Sequence, residues 1–282
     1  MEECEAMIKQ IMQIAARPRW RTSVRIVAFA ALVIAAPKVV LADDLPSGEQ
    51  VIEDYIKATG GRAAYEKHHS LVMNGTMEIA AMGLKGSLTV YSAAPNKTRV
   101  ILEFEGMGKT EEGFDGTTVW SSSPFEGPRV LEGEERDFKS RLNTFNSEIH
   151  WKELYPKVEC VGTEDIGGKT CYKVVLTPAT GKPMTNYYDK ESKLVVRTDM
   201  ILKTSMGEIA VESTPEDYRE AGGVLFAHKT TESVMGMQHV MTISKIEFNT
   251  DLPADIFELP AEIKALVAKK AESGKATADD TP

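Results

Sequence analysis

Nothing in this 282-residue chain matches the usual signatures of a catalytic site. It has no His-Glu-x-x-His pair and no Cys-x-x-Cys, which removes the common zinc patterns. It has no Gly-x-Ser-x-Gly turn to present a nucleophile. Gly106-Met107-Gly108-Lys109-Thr110 and Gly168-Lys169-Thr170 look like the ends of phosphate loops, but Glu103 and Thr163 stand where the opening glycine is required. The five histidines, His68, His69, His150, His228 and His239, are not at ligand spacing and read as surface or structural residues. Carboxylates scatter along the chain as solvated charge, so no acid/base pair is named. The reading is a non-enzyme with no cofactor and no metal.

Basic residues are scarce as well, 33 Lys and Arg against 42 Asp and Glu. So acidic a surface repels phosphate backbones and excludes nucleic acid as a partner. One cluster of basic residues stands early: Arg17, Arg19, Arg21 and Arg25 precede the apolar run Ile26 to Ala36, and Val40-Leu41-Ala42 follows. That run falls short of the about 20 residues a membrane span needs, and nothing later is longer. Residues 1–42 therefore read as a signal peptide cleaved after Ala42, with Glu2, Glu3 and Glu5 hinting at a true start at Met7 or Met12. With no cysteine at the cleavage site for lipid attachment, the expected product is soluble and periplasmic.

Cysteine is nearly absent. Beyond the leader only Cys160 and Cys171 remain, in an oxidising compartment that invites a disulfide. If Gly167-Gly168 is a hairpin turn, Cys171 faces Glu164, and Cys160 lies four residues further along, about 13 Å at strand rise. That register argues against a bridge unless a bulge shifts it.

What the chain does contain is turns. Asp115-Gly116 fits a tight two-residue hairpin with positive φ at both positions, and it aims the strand Thr117 to Ser121 with its Trp120. Gly167-Gly168, Asp189-Lys190 and Gly222-Gly223 repeat the pattern, each ahead of a short β-rich segment. Strands run from Leu71 to Phe248, including Leu84 to Tyr91 and Gly207 to Ser213; the last, Met237 to Phe248, has Met237, Met241 and Ile243 on one face and Val240, Ile246 and Phe248 on the other, so both faces need cover. Ahead of them, Ser47 caps a helix carrying Val51, Ile52, Tyr55 and Ile56 on one side, ended by Gly60-Gly61, and a short second helix is expected from Arg62 to Lys67. A short amphipathic helix interrupts the strands from Gly133 to Asn146, with Phe138, Leu142 and Phe145 as its stripe. A closing helix is expected from Ala261 to about Lys270. The domain reading is one unit over 43–267 followed by a polar, disordered tail at 268–282.

Methionine is abundant, thirteen in all, and its unbranched, polarizable side chain suits an adaptable apolar pocket as well as a core. Gly86-Ser87-Leu88-Thr89-Val90-Tyr91 with Pro95-Asn96, then Phe114-Asp115-Gly116-Thr117-Thr118-Val119-Trp120, Tyr188-Asp189-Lys190-Glu191-Ser192-Lys193-Leu194, and Leu252-Pro253 to Phe257-Glu258-Leu259-Pro260 together resemble the bacterial lipoprotein-sorting carriers of the LolA-like superfamily. The resemblance implies a mainly β fold, an incomplete, half-open antiparallel barrel with an N-terminal helix and a short helical lid. It also implies a carrier or chaperone that holds lipid, or the acyl chains of lipoproteins, in its cavity. Such a protein acts as a monomer and exchanges cargo with membrane donor and acceptor proteins. A sensor module for a lipidated partner and an envelope hydrolase are the competing classes. The expected cavity wall is Phe104, Trp120, Val174, Leu176, Met237 and Met241, with Phe138, Leu142 and Phe145 on the lid. In the carriers an arginine commonly precedes the proline equivalent to Pro95 and helps hold the lid closed; here Ala94 occupies that place.

Overall fold

The computed structural model describes residues 45–204 and 207–279; the export segment and the start-site reading lie outside them. Thirteen strands form one antiparallel sheet. They are β1 (Ser70–Ile79), β2 (Leu84–Ala93), β3 (Lys97–Phe104), β4 (Gly108–Phe114), β5 (Val119–Ser123), β6 (Gly127–Val130), β7 (Lys157–Ile166), β8 (Lys169–Thr177), β9 (Met184–Asp189), β10 (Val195–Thr204), β11 (Gly207–Ala221), β12 (Val224–Val234) and β13 (Met237–Phe248). Every neighbour in the sheet is a sequence neighbour except one: β1 pairs with β13. The sheet is therefore a continuous meander with free edges at β6 and β7, open and not closed into a barrel. The helical insertion comes between those two edge strands: α3 (Gly133–Leu142) and α4 (Trp151–Leu154) follow α1 (Gly48–Ala58) and α2 (Arg62–Tyr65) in the chain. No helix among the described residues is long and apolar enough to cross a membrane.

Helix α1 forms as its sequence dictates. The Ser47 hydroxyl accepts the Gln50 amide at 3.1 Å, satisfying one of the donors a helix start leaves unpaired. Val51, Ile52 and Ile56 are buried against Val174, Leu176, Tyr188 and Val224, each contributing roughly 2 kcal/mol by burial. The end of the helix is welded to the β11–β12 hairpin: the Leu225 amide donates to Thr59 O at 2.8 Å. Gly60, at φ 132°, makes this approach possible, since a Cβ there would lie 2.2 Å from Gly223 O.

The turns follow the glycines, with one correction. Gly167-Gly168 and Gly222-Gly223 have positive φ at both positions, as two-residue hairpins require. The Asp115-Gly116 turn is longer and works differently. Only Gly116 takes positive φ, while the Asp115 carboxylate accepts the Thr117 and Thr118 amides at 2.8 and 2.7 Å. A side chain that replaces the ladder partner relieves Asp115 of the need for a left-handed backbone.

Three elements differ from expectation in extent. β11 continues through Pro215 to Ala221 where a stop at Ser213 was read. Its ladder with β10 ends at the Thr198–Ser213 pair, so Pro215 sits where only β12 is a neighbour, a position that tolerates a missing N–H. Helix α3 stops at Leu142 instead of Asn146; Asn143 caps it and Asn146 is left-handed at φ 52°, so Phe145 leaves the helical stripe. The last helix, α5 (Ala261–Asp279), runs past Lys270 into the stretch read as a tail. Cys171 faces Glu164 as expected, but a bulge between Cys160 and Gly162 shifts the register by one so that Cys160 faces Val174, and both thiols are free.

The two faces of the sheet carry different covers. On one, α1 and α4 lie over a core of Val51, Ile52, Trp151, Val174, Leu176 and Tyr188. On the other, the C-terminal segment packs over β3 to β6: Arg99 donates to Ile256 O at 3.3 Å, Ser122 to Glu262 at 3.0 Å, and Ile263 is fully buried.

Candidate functional site

Between the helical cover and the inner face of β8 to β13 lies a cavity of about 420 Å³. Its floor is apolar: Leu176 from β8, Met184 and Tyr188 from β9, Met241 and Ile243 from β13, with Met73 from β1. Ile52 and Tyr55 of α1, Leu142 at the end of α3, and Trp151 and Tyr155 close it from above. Polar atoms in the wall are mostly occupied by one another. Asn186 donates to the Tyr188 hydroxyl at 3.1 Å and accepts from Thr198 at 2.8 Å; the Tyr218 hydroxyl donates to Val195 O at 2.9 Å. A wall of this kind offers a ligand apolar contact with few competing donors.

The cover is held by a clamp at the helix ends. Arg62 of α2 pairs with Glu53 of α1 at 2.5 Å and donates to Ile149 O at 2.9 Å. Glu53 in turn accepts the Trp151 indole N–H at 3.1 Å. The Arg62 hydrogen bond holds the Glu53 carboxyl below its ordinary range, against the opposing effect of partial burial. Nearby, the Phe145 amide donates to Pro95 O at 3.0 Å and Asn146 to Tyr65 O at 2.9 Å. Arg62 thus ties down the insertion in a chain that carries Ala94 before Pro95.

The expected wall residues divide by position. Leu176 and Met241 line the cavity, as does Leu142 of the expected lid. Val174 is on the same face but fully buried in the core beneath α1. Phe104 is at the far end of the inner face, over Gly86. Met237 is four residues from Met241, beside the β12–β13 turn and 37% exposed.

Trp120 is on the other side of the sheet. Following the register from Met73 through Val90, Val100, Glu112 and Ser121 leaves Trp120 on the outer face. There its indole covers Gly113, where a Cβ would lie 2.6 Å from the ring, and the Arg99 guanidinium stands 5.3 Å from its centroid. Alternation within one strand cannot tell inner from outer when both faces are covered. Of the remaining lid residues, Phe145 is buried off the helix and Phe138 is half-buried with Arg141 5.9 Å from its ring.

Sequence reasoning missed Glu148. It lies in the turn between α3 and α4 and lines the cavity. Burial drives its carboxyl above the ordinary range, opposed only by its own backbone N–H. The Tyr55, Tyr65, Tyr188 and Tyr218 hydroxyls are all raised chiefly by burial and further by the Glu148 charge, so the acid stands among four tyrosines. Its position between Phe145 and Trp151 was the available signal. Among the described residues no three His, Cys, Asp or Glu side chains converge as a metal site.

No family model matches the chain, and no curated protein matches it in sequence. Solved structures do match in shape. A LolA superfamily protein from Nitrosomonas europaea aligns with a TM-score of 0.53 at 13% identity, over 76% of this chain and 99% of that one. A DUF1329 family protein from Desulfovibrio piger gives 0.53 at 13% identity, over 74% and 96%. The likeness is one of fold, and the fold is LolA-like.

Proposed function

We propose that this protein is a non-catalytic carrier that shelters lipid, or the acyl chains of lipoproteins, in the cavity beneath α1 and α4. The observation that carries the reading is the cavity itself: an apolar space of about 420 Å³ between a helical cover and the inner face of an open sheet. That volume falls within the range of small-molecule sites. Each buried acyl CH₂ gains about 0.8 kcal/mol, so a ten-carbon segment contributes about 8 kcal/mol before ordering costs. Such binding needs walls and a way in, not a catalyst. The open edge between β6 and β7, bridged in sequence by the clamped insertion, supplies the element that moves to admit cargo. The cationic and apolar segment ahead of Ala42 supports a periplasmic location, with membrane proteins as donor and acceptor and the carrier acting as a monomer.

The test is native mass spectrometry of protein purified without detergent, combined with uptake of a fluorescent neutral diacyl lipid. The expected result is a copurifying lipid mass or saturable uptake at one site. Protein that emerges empty and takes up no probe refutes the carrier.

A further inference from the structure

A carboxylate on the wall of a mostly apolar cavity without a counter-charge is an expensive arrangement, and Glu148 is one. The residue is half-buried and lines the cavity, and desolvation there holds its carboxyl above the ordinary range. Among the described residues it has no side-chain hydrogen-bond partner and no cation acts on it; its own backbone N–H is the one donor beside it. The groups that face it are Tyr55 from α1, Tyr65 from α2, Tyr188 from β9 and Tyr218 from β11. Two of those hydroxyls already donate elsewhere, Tyr65 to Thr59 at 2.8 Å and Tyr218 to Val195 O, while Tyr188 accepts from Asn186. Two arginines near the insertion are engaged elsewhere, Arg141 with the Tyr155 hydroxyl and Arg62 with Glu53 and Ile149 O. What is missing is a partner that brings its own positive charge.

The aromatic surroundings favour the same kind of partner. Tyr55 and Tyr188 meet edge to face with centroids 5.7 Å apart, and Trp151 closes the same space. Ring faces attract cations and do nothing for anions, and they do so more strongly where water is excluded. We infer that the cavity selects amphiphiles whose polar end is an ammonium group, seated on the Glu148 carboxylate among these rings, and rejects those headed by carboxylate or phosphate. The inference rests on the carrier reading and names the chemical class of its cargo. No bond forms or breaks: an alkylammonium pairs with the ionised acid, and where the empty cavity holds Glu148 protonated, binding releases that proton to solvent. Affinity for an amine therefore rises with pH as Glu148 ionises.

The experiment compares three probes with the same twelve-carbon tail, dodecylamine, dodecanol and dodecanoate, each displacing the fluorescent neutral lipid from the full protein and from Glu148→Gln. Glutamine keeps the shape and removes the charge. The expected order for the native protein at neutral pH is amine above alcohol above carboxylate, with about tenfold or more between the first and last. In Glu148→Gln the amine falls to within about twofold of the alcohol, whose own affinity holds. Equal binding of amine and carboxylate by the native protein, or an amine-to-alcohol ratio that Glu148→Gln leaves unchanged, overturns the inference while leaving the carrier standing. If none of the three displaces the lipid because the lipid itself does not bind, the carrier falls and this inference with it. The native comparison stands alone should the variant prove unstable, and a thermal melt of Glu148→Gln reports its folding.

Discussion

Replacing Arg62 with methionine keeps most of the aliphatic stem of that side chain and removes the guanidinium that clamps the cover. Two interactions go. The pair with Glu53 is about 40% exposed on both sides and is worth at most about 1 kcal/mol after solvent screening. The charged donor to Ile149 O, at 2.9 Å, is worth about 1.5 kcal/mol. Together they hold the insertion by roughly 2 kcal/mol, which shifts an opening equilibrium about thirtyfold. The assay is acrylamide quenching of Trp151, whose indole donates to Glu53 beneath the clamp, alongside amide exchange over residues 143–155. Trp120, 2% exposed under the C-terminal segment, serves as the unmoved background. Quenching and exchange should rise together in Arg62→Met while strands β8 to β13 stay protected.

Acid should act in the same direction. Because the folded pKa of Glu53 is depressed, its contribution is present above the ordinary carboxylate range and disappears as pH falls through the folded value, so native opening increases below about pH 4. A variant whose Trp151 stays as shielded as before, or whose whole sheet loses protection equally, refutes the idea that the cover opens as a unit.

The remaining predictions test wall, scaffold and outer face. Met241→Trp should fill part of the cavity and weaken uptake of the neutral diacyl lipid by about tenfold, while Met237→Trp, beside the exposed turn, leaves uptake unchanged; equal effects in a binding titration would mean the cavity is not the site. Gly60→Ala places a Cβ 2.2 Å from Gly223 O at a φ of 132°, and should cost about 3 kcal/mol in urea unfolding; a loss under about 1 kcal/mol contradicts the close approach of α1 to the hairpin. Burial pushes the Glu111 carboxyl up, but hydrogen bonds from Lys109 and Arg99 outweigh it and hold the group low. With side chains only 10% and 17% exposed, breaking the pair by Arg99→Met should cost about 3 kcal/mol near pH 7. That difference between variant and native should shrink as pH falls below about 4, where Glu111 takes a proton; a cost independent of pH would assign the loss to packing alone.

Local chemistry was legible wherever a few adjacent residues decide the outcome. Ser47 announces the start of α1, Gly60-Gly61 its end, and paired glycines at 167–168 and 222–223 dictate hairpins, because capping and positive φ are satisfied within a handful of residues. The mainly β, antiparallel meander followed from repeating such turns between short strands, while its openness was implied by the resemblance to the LolA-like carriers. Pro215 misled for the opposite reason. A proline normally ends a strand, and only knowledge that β10 departs at Ser213 shows that its missing N–H goes unneeded.

Which side of the sheet a residue faces belonged to the tertiary structure. Trp120 and Met241 both sit in strands with an apolar pattern, yet the pairing of β1 with β13 and the placement of α5 put one beneath the C-terminal segment and the other in the cavity wall. Glu148 belongs with them. Its place between Phe145 and Trp151 was the one local hint; that it shares a cavity wall with Tyr55, Tyr188 and Tyr218, which arrive from far along the chain, was not readable from its neighbours. By itself the sequence determined the paired-glycine turns, the existence of the strands and both ends of α1, all short-range consequences of backbone sterics and hydrogen bonding. The cavity, its unpaired acid and the clamp over it arise only when distant elements pack, because desolvation and charge depend on what surrounds a group and not on what precedes it.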